Sequence, residues 1–271
     1  MIRVIINGAC GRMGRLIIQG VTQQDDMEIV GAIEYPEHPQ IGSDAGVVAG
    51  IGEIDVAITG ELNDVLGDAD VVIEFSKPEA TLEHLRQVVA ADKAMIIATT
   101  GFNPDELATV KELASQIRCV MAPNMSLGVN VMIQALELIA KALGDDYDIE
   151  VIEAHHNHKA DSPSGTALRL AETVATALGR DLDEVGVYGR HGIVGARPKE
   201  QIGIHAVRGG DIAGDHTVLF ATEGEQLSVV HRAHSREAFA KGAIRAARWV
   251  VNASKGLHDV SEILFHSQKS D

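Results

Sequence analysis

Cysteine is scarce: the 271 residues hold Cys10 and Cys119 and no others. The two stand far apart and form no CxxC pair, so neither a disulfide framework nor a structural zinc site is expected. Basic charge is also short, with 23 lysines and arginines against 39 aspartates and glutamates and a formal net charge of −16. Without a global positive field the chain is poorly suited to polyanions, so nucleic acid is not an expected partner. Any anionic ligand must be held by local features. No apolar run reaches the roughly 18 residues that span a bilayer. The opening MIRVIING runs straight into structure, without the basic and apolar leader of a signal peptide. The expected setting is a reducing, aqueous one, the cytoplasm, with no membrane. No internal repeat or low-complexity tract is visible. What the chain does have is 45% hydrophobic residues, enough for a substantial core in one large domain or two smaller ones.

IRVIIN (2–7) is a β-branched run that stops at Gly8; 12–23 carries apolar residues at helical spacing, and MEIVGAIE (27–34) returns to a strand pattern. That is a β-α-β unit. Further strands are predicted at 55–59, 70–75, 94–100 and 118–123, with helices at 78–91 and 104–116. Such alternation implies a Rossmann-like α/β fold, a doubly wound parallel sheet covered on both faces. After about residue 125 the rhythm changes. A helix at 128–143 leads into YDIEVIEAHH, and 164–178 is amphipathic, with Ala167, Leu170, Ala171, Val174 and Leu178 on one stripe. IGIHAVR, HTVLFATEG and QLSVVHRA then follow with only short turns between them. Consecutive strands of this kind predict a second α+β domain with a mixed or antiparallel sheet. The last long helix, 236–253, returns to the first domain. The expected organisation is 1–126 with 237–271 as a dinucleotide-binding domain, and 127–236 as a substrate-binding and oligomerisation domain.

INGACGRMGRLI ends a strand and opens a helix, with glycines at 8, 11 and 14. Glycine is needed where the chain turns tightly, where backbone approaches a pyrophosphate and where helix packs on strand. Free amides at the helix start then attract phosphate. Glu34 closes the second strand 20 residues after Gly14, where a carboxylate can accept hydrogen bonds from ribose hydroxyls. These features predict a nicotinamide dinucleotide site. Cys10, within the loop, is read as a small packing residue. ATTGF (98–102) and APNMSLGVN (122–130) occupy later strand ends, where ligands of open parallel sheets lie; ordinary loop and cap chemistry would explain them as well.

EAHHNHKADSPSGTA (153–167) concentrates His155, His156, His158 and Lys159. If the strand runs through 156, His156 and His158 share a face. A catalytic zinc usually has three protein ligands, no third ligand is in view, and Lys159 would place a cation beside the ion, so no metal is expected. A solvated polar loop is one reading. The other uses every residue: Gly165 and Thr166 open a helix and offer donors to a carboxylate, with Lys159 and His156 adding charge or donors. His155 suits proton transfer near neutrality. Hydride addition to a conjugated C=C–C=N system would leave negative charge for such a group to neutralise.

GACGRMG, ATTGF, APNMSLGVN, EAHHNHKADSPSGTA, VRGGDIAGDHTV and SREAFAKGAIRAARW resemble, in order and spacing, the 4-hydroxy-tetrahydrodipicolinate (dihydrodipicolinate) reductase family, from about residue 2 to 265. The resemblance implies NAD(P)H-dependent reduction of a small dicarboxylate on the diaminopimelate route to lysine. It also implies a homotetramer built through the second domain's sheet. Carried over by motif, His155 is the proton donor or acceptor, Lys159 the second catalytic donor, and His156, Gly165 and Thr166 contact the substrate carboxylate. Gly8, Ala9, Cys10, Gly11, Arg12, Met13, Glu34, Ala98, Thr99, Thr100, Ala122, Pro123, Asn124 and Met125 contact the cofactor. Cys10 and Ala98 stand where many members have glycine, and Tyr35 where many have arginine.

That last departure bears on the cofactor. No lysine or arginine occurs from Leu16 to Ser76, and Glu34 repels a 2′-phosphate, so NADH is expected to be preferred over NADPH, with Arg12 able to compensate in part. Arg208, Asp211 and His216 of VRGGDIAGDHTV are read as solvated residues of a glycine turn between two strands, the alternative being that they reach the active site from the second domain. Two other function classes fit parts of the chain: a non-catalytic dinucleotide sensor and a metal-dependent hydrolase using the histidines.

Overall fold

In β1 (Ile2–Asn7), Val4 and Ile6 join one apolar core and Ile5 another, and all three are fully buried. A strand apolar on both faces belongs inside a sheet covered on both sides. The computed structural model describes residues 1–265; residues 266–271, part of the expected 237–271 segment, lie outside the described residues. After β1 come α1 (Arg12–Val21), β2 (Met27–Ile33), α2 (Ala45–Ala49), β3 (Ile58–Thr59), α3 (Asn63–Leu66) and β4 (Val71–Glu74). Then follow α4 (Pro78–Ala90), β5 (Ala94–Ile97), α5 (Pro104–Ala114), β6 (Arg118–Met121), α6 (Leu127–Leu143) and β7 (Asp148–His155). The chain continues through α7 (Gly165–Ala177), α8 (Leu182–Val185), β8 (Gly186–Tyr188), β9 (Ile202–Arg208), β10 (Gly214–Thr222) and β11 (Glu225–Ala233). It closes with α9 (Glu237–Val250), β12 (Gly256–His258) and α10 (Val260–Phe265). Two units result, one from residues 1–127 with 236 onward and one from 128–235.

The first unit holds a parallel sheet of order β12-β6-β5-β4-β1-β2-β3. Ile17, Ile18 and Val21 of α1 share a core with Ala243, Ala247 and Val250 of α9 on one face. Leu66, Leu85, Val88 and Val110 of α3, α4 and α5 cover the other. Strand order reverses between β1 and β4, and the register Asn7↔Glu74↔Ile97↔Met121 aligns the carboxyl ends of β1, β4, β5 and β6. The crevice beyond such a reversal is where ligands of this fold bind. The strand predicted at 55–59 shortens to Ile58–Thr59, because Asp55 adopts φ 59° and Ala57 is taken up by an isolated bridge to Asp44. A seventh strand, β12, was not visible in the pattern: three residues cannot display a period.

In the second unit the order is β11-β10-β7-β9-β8, antiparallel across β11, β10 and β7 and parallel across β7, β9 and β8. Ala167, Leu170, Ala171 and Val174 of α7 and Met132, Leu136 and Ala140 of α6 share one core with Val151, Ile204 and Val218 of the sheet. The stretch Leu127–Asp146 is long and apolar enough to cross a membrane by length and composition. Its buried stripe accounts for part of that apolarity, while Leu138 and Val131 stay exposed.

Candidate active site

Gly8 leaves β1 at φ +76°, and a Cβ there would lie 2.5 Å from the Phe75 carbonyl oxygen. A Cβ on Gly14 would lie 2.1 Å from the Gly8 carbonyl oxygen, so only glycine lets α1 pack this closely on the loop. Gly11 is the N-cap of α1 and supplies no side-chain cap, so the first-turn amides face outward without a capping side chain. That is an anion-attracting helix start built from backbone alone. Glu34 follows β2 and binds the same loop: Oε2 accepts from Cys10 N–H at 3.0 Å and Oε1 from Tyr35 N–H at 3.2 Å. Each oxygen keeps a second lone pair for a ligand hydroxyl. Burial, and then the Glu34 charge, push the Cys10 thiol up to about 11, which suits packing and not nucleophilic chemistry.

A cleft of about 590 Å³ opens beside this loop, lined by Gly8, Gly11, Glu34, Tyr35, Lys77 and His84 among others. The residues present fit a dinucleotide. Ala98–Thr100 and Ala122–Met125 follow β5 and β6, on the same edge of the sheet as the glycine loop. Ala9, Ala98, Ala122 and Met125 bury their side chains, so they can offer a ligand only backbone. The Thr99 hydroxyl pairs with Thr81 at 2.7 Å, and Asn124 Oδ1 accepts from Ser126 N–H at 2.8 Å. Arg12, Thr100 and Pro123 are exposed. Beneath the loop, the fully buried Glu74 accepts from Asn7 Nδ2 at 2.8 Å and from Ser76 N–H at 3.0 Å, and meets His84 Nδ1 at 2.8 Å. Burial lowers the His84 imidazole but Glu74 outweighs it and holds it raised. Neither residue was singled out from sequence, since the pair joins a strand end to the following helix.

The second unit assembles the histidine element. β7 ends at His155, so the strand does not carry His156 onto a face with His158; their rings stand 6.4 Å apart and tilted. Among the described residues no group of three or more histidine, cysteine, aspartate or glutamate side chains could hold a metal ion. His155 is buried with Nδ1 2.6 Å from Glu153 Oε2. Lys159 Nζ donates to Asp161 at 2.8 Å. Ser164 caps α7 by accepting from Ala167 N–H at 3.1 Å, leaving Gly165 and Thr166 in the first turn. A Cβ on Gly165 would meet nothing within 4 Å, so the space above this helix start is open to a ligand.

The reading of Arg208 and His216 as solvated turn residues is corrected. Arg208 ends β9 beside His155 and grips Glu153 with both terminal nitrogens, at 2.8 and 2.9 Å. His216 is buried, 3.3 Å from Ser164 Oγ and edge-on to the His155 ring at 5.2 Å between centroids. Both side chains fall on the covered face of the sheet, His216 buried and Arg208 four-fifths covered. Asp211 alone of the three is exposed. Glu153 was also missed. Its signal was present: Ile149, Val151, Glu153 and His155 alternate along β7, so a carboxylate and an imidazole occupy positions patterned as core.

Residues 2–125 match the model of the dihydrodipicolinate reductase N-terminus, and residues 128–264 that of its C-terminus. The 4-hydroxy-tetrahydrodipicolinate reductase of Trichlorobacter lovleyi is 50% identical over 264 residues, covering 97% of this chain and 99% of the relative. That of Geotalea daltonii is 48% identical with the same coverage. Among solved structures, the dipicolinate-bound dihydrodipicolinate reductase of Paenisporosarcina superposes with a TM-score of 0.75 at 26% identity, covering 96% of this chain and 97% of that one. With both halves of the family model matched in order and close relatives matched end to end, the chain belongs to the dihydrodipicolinate reductase family.

Proposed function

We propose that this chain reduces 4-hydroxy-tetrahydrodipicolinate to tetrahydrodipicolinate with NAD(P)H, the 4-hydroxyl leaving as water, on the diaminopimelate route to lysine. The observation that carries the reading is how HHNHKADSPSGTA folds. One short segment holds a buried imidazole at a strand end, a lysine, and an open helix start above Gly165. The nicotinamide, when bound, supplies the hydride. The chain's own residues do the rest: Lys159 and His155 give the proton that the reduced C=C–C=N system requires, from Nζ or an imidazole nitrogen. His156, Gly165 and Thr166 hold a substrate carboxylate at the start of α7. The Paenisporosarcina relative binds dipicolinate, a planar dicarboxylate of matching chemistry.

Gly8 to Met13, Glu34, Ala98 to Thr100 and Ala122 to Met125 hold the cofactor, with NADH preferred over NADPH. Residues 1–126 with 237–271 serve the dinucleotide, and 127–236 serve substrate and assembly. A homotetramer through the second sheet is supported by exposed Ile152, Val207 and Val230 on the sheet face away from α7. The cytoplasm is the compartment proposed. A coupled assay with dihydrodipicolinate synthase, which supplies the cyclic substrate, following NADH and NADPH oxidation separately, tests the reading. Synthase-dependent oxidation is expected. Its absence would favour a dinucleotide sensor, and loss of turnover with a chelator would favour metal chemistry.

A further inference from the structure

We infer that Glu153, clamped by Arg208, is a positioning residue that fixes the proton of His155 on Nδ1 and so makes Nε2 the reacting nitrogen. This rests on His155 being the proton-transfer residue proposed above. Glu153 is fully buried, and both of its oxygens are occupied. Oε1 accepts from Ser164 N–H at 3.0 Å and Arg208 Nη2 at 2.9 Å; Oε2 accepts from Arg208 Nη1 at 2.8 Å and meets His155 Nδ1 at 2.6 Å. Burial alone would raise this carboxyl, but Arg208, His155 and the Ser164 amide together hold it below the usual carboxylate range. An ionised carboxylate only accepts, so the proton in the 2.6 Å contact sits on Nδ1. In the neutral imidazole Nε2 then carries the lone pair, and when protonated it is the nitrogen that donates.

The surroundings agree with that assignment. A Cβ at Gly214 would lie 3.0 Å from His155 Nε2, so glycine is what keeps β10 from covering this nitrogen with a side chain. The other ring against His155 is His216, pushed down to about 4 by burial and then by the charges of His155 and His231. It is therefore neutral near pH 7 and does not compete as a proton donor. Ser164 ties the parts together: its amide serves Glu153, while its hydroxyl oxygen serves the α7 cap and His216. The logic is that of an acid–base histidine whose tautomer a buried carboxylate dictates.

The test is the tautomer of His155, read from side-chain ¹⁵N shifts of the whole protein without substrate, with the resonance assigned by its loss in His155→Ala. Wild type should show the Nδ1–H form when neutral. Glu153→Gln can donate an amide N–H to Nδ1, and should shift the ring toward Nε2–H while kcat falls roughly 10²–10⁴-fold, KM changing little. Glu153→Asp keeps an acceptor-only carboxylate and should keep the Nδ1–H form. If Glu153→Gln does not fold, the wild-type spectrum still decides, because an Nε2–H ring there overturns the inference. So does a Glu153→Gln enzyme with the wild-type tautomer and full kcat. Full activity in His155→Ala would instead sink the catalytic reading of His155 while leaving the tautomer result standing.

Discussion

At the scale of single residues, Lys159 and Glu150 show how differently two ion pairs can matter. Lys159 Nζ pairs with Asp161, whose side chain is 61% exposed, a contact worth little to stability. Lys159→Met should therefore leave the fold and NADH affinity nearly intact while lowering turnover on the order of 10²–10⁴-fold. Steady-state kinetics beside a cofactor titration checks this, and wild-type turnover would remove Lys159 from the mechanism. Glu150 is the opposite case. Arg190 grips it at 2.8 and 2.9 Å, Arg197 donates at 3.0 Å and His205 lies at 2.6 Å. Partial burial opposes its charge, yet these partners carry its carboxyl from 4.5 down to about 2. Because the folded value is the lower one, the stabilisation is complete above about 4.5 and lost as pH falls toward about 2. The stability gap between wild type and Glu150→Gln, about 1–3 kcal/mol near neutrality, should close across that window in urea denaturation. A gap that ignores pH would show that the arginines contribute packing and not charge.

At the scale of elements, two helix starts do comparable chemistry by different means. α1 begins at a glycine with no side-chain cap, and α7 begins at Ser164, whose hydroxyl oxygen caps Ala167. The Ser164 hydroxyl oxygen takes the Ala167 amide, while Thr166 follows in the first turn. Planar pyridine dicarboxylates are expected to compete with substrate, and Thr166→Ala should weaken their inhibition. Equal inhibition constants for wild type and variant would mean that the Ser-Gly-Thr turn only starts the helix. Legibility also differed between elements. β1, α1 and α7 were readable because long periodic stretches display which face is buried. β8 and β12, at three residues each, exist because a neighbouring strand offers an edge.

At the scale of the whole molecule, charge frames cofactor choice. The chain carries −16 overall, and the cleft beside the glycine loop is lined by Glu34, Glu61, Glu79 and Glu83 against Lys77 and His84. A 2′-phosphate adds negative charge to that setting, and Tyr35 stands 55% exposed where a cation would meet it. NADH should thus be used more efficiently than NADPH, and Tyr35→Arg should raise kcat/KM for NADPH more than for NADH. Measuring both cofactors on both proteins decides it. A wild-type preference for NADPH would point to a cation distant in sequence, with Lys77 on the same cleft the first to replace.

The sequence by itself determined the order of the long elements, the glycine loop, the acid at the end of the second strand and the histidine element, because each is a local pattern with a local physical reason. Spacing of glycines sets a turn, alternation sets a buried face, and a Ser before a helix sets a cap. Only the tertiary structure decided what surrounds His155. Glu153, Ser164, Arg208 and His216 are brought together by pairing β7 with β9 and β10 and by docking the start of α7 on that sheet. Arg208 and Glu153 lie 55 residues apart, beyond any periodicity. Their contact is set by strand register, which depends on the whole core that the helices cover.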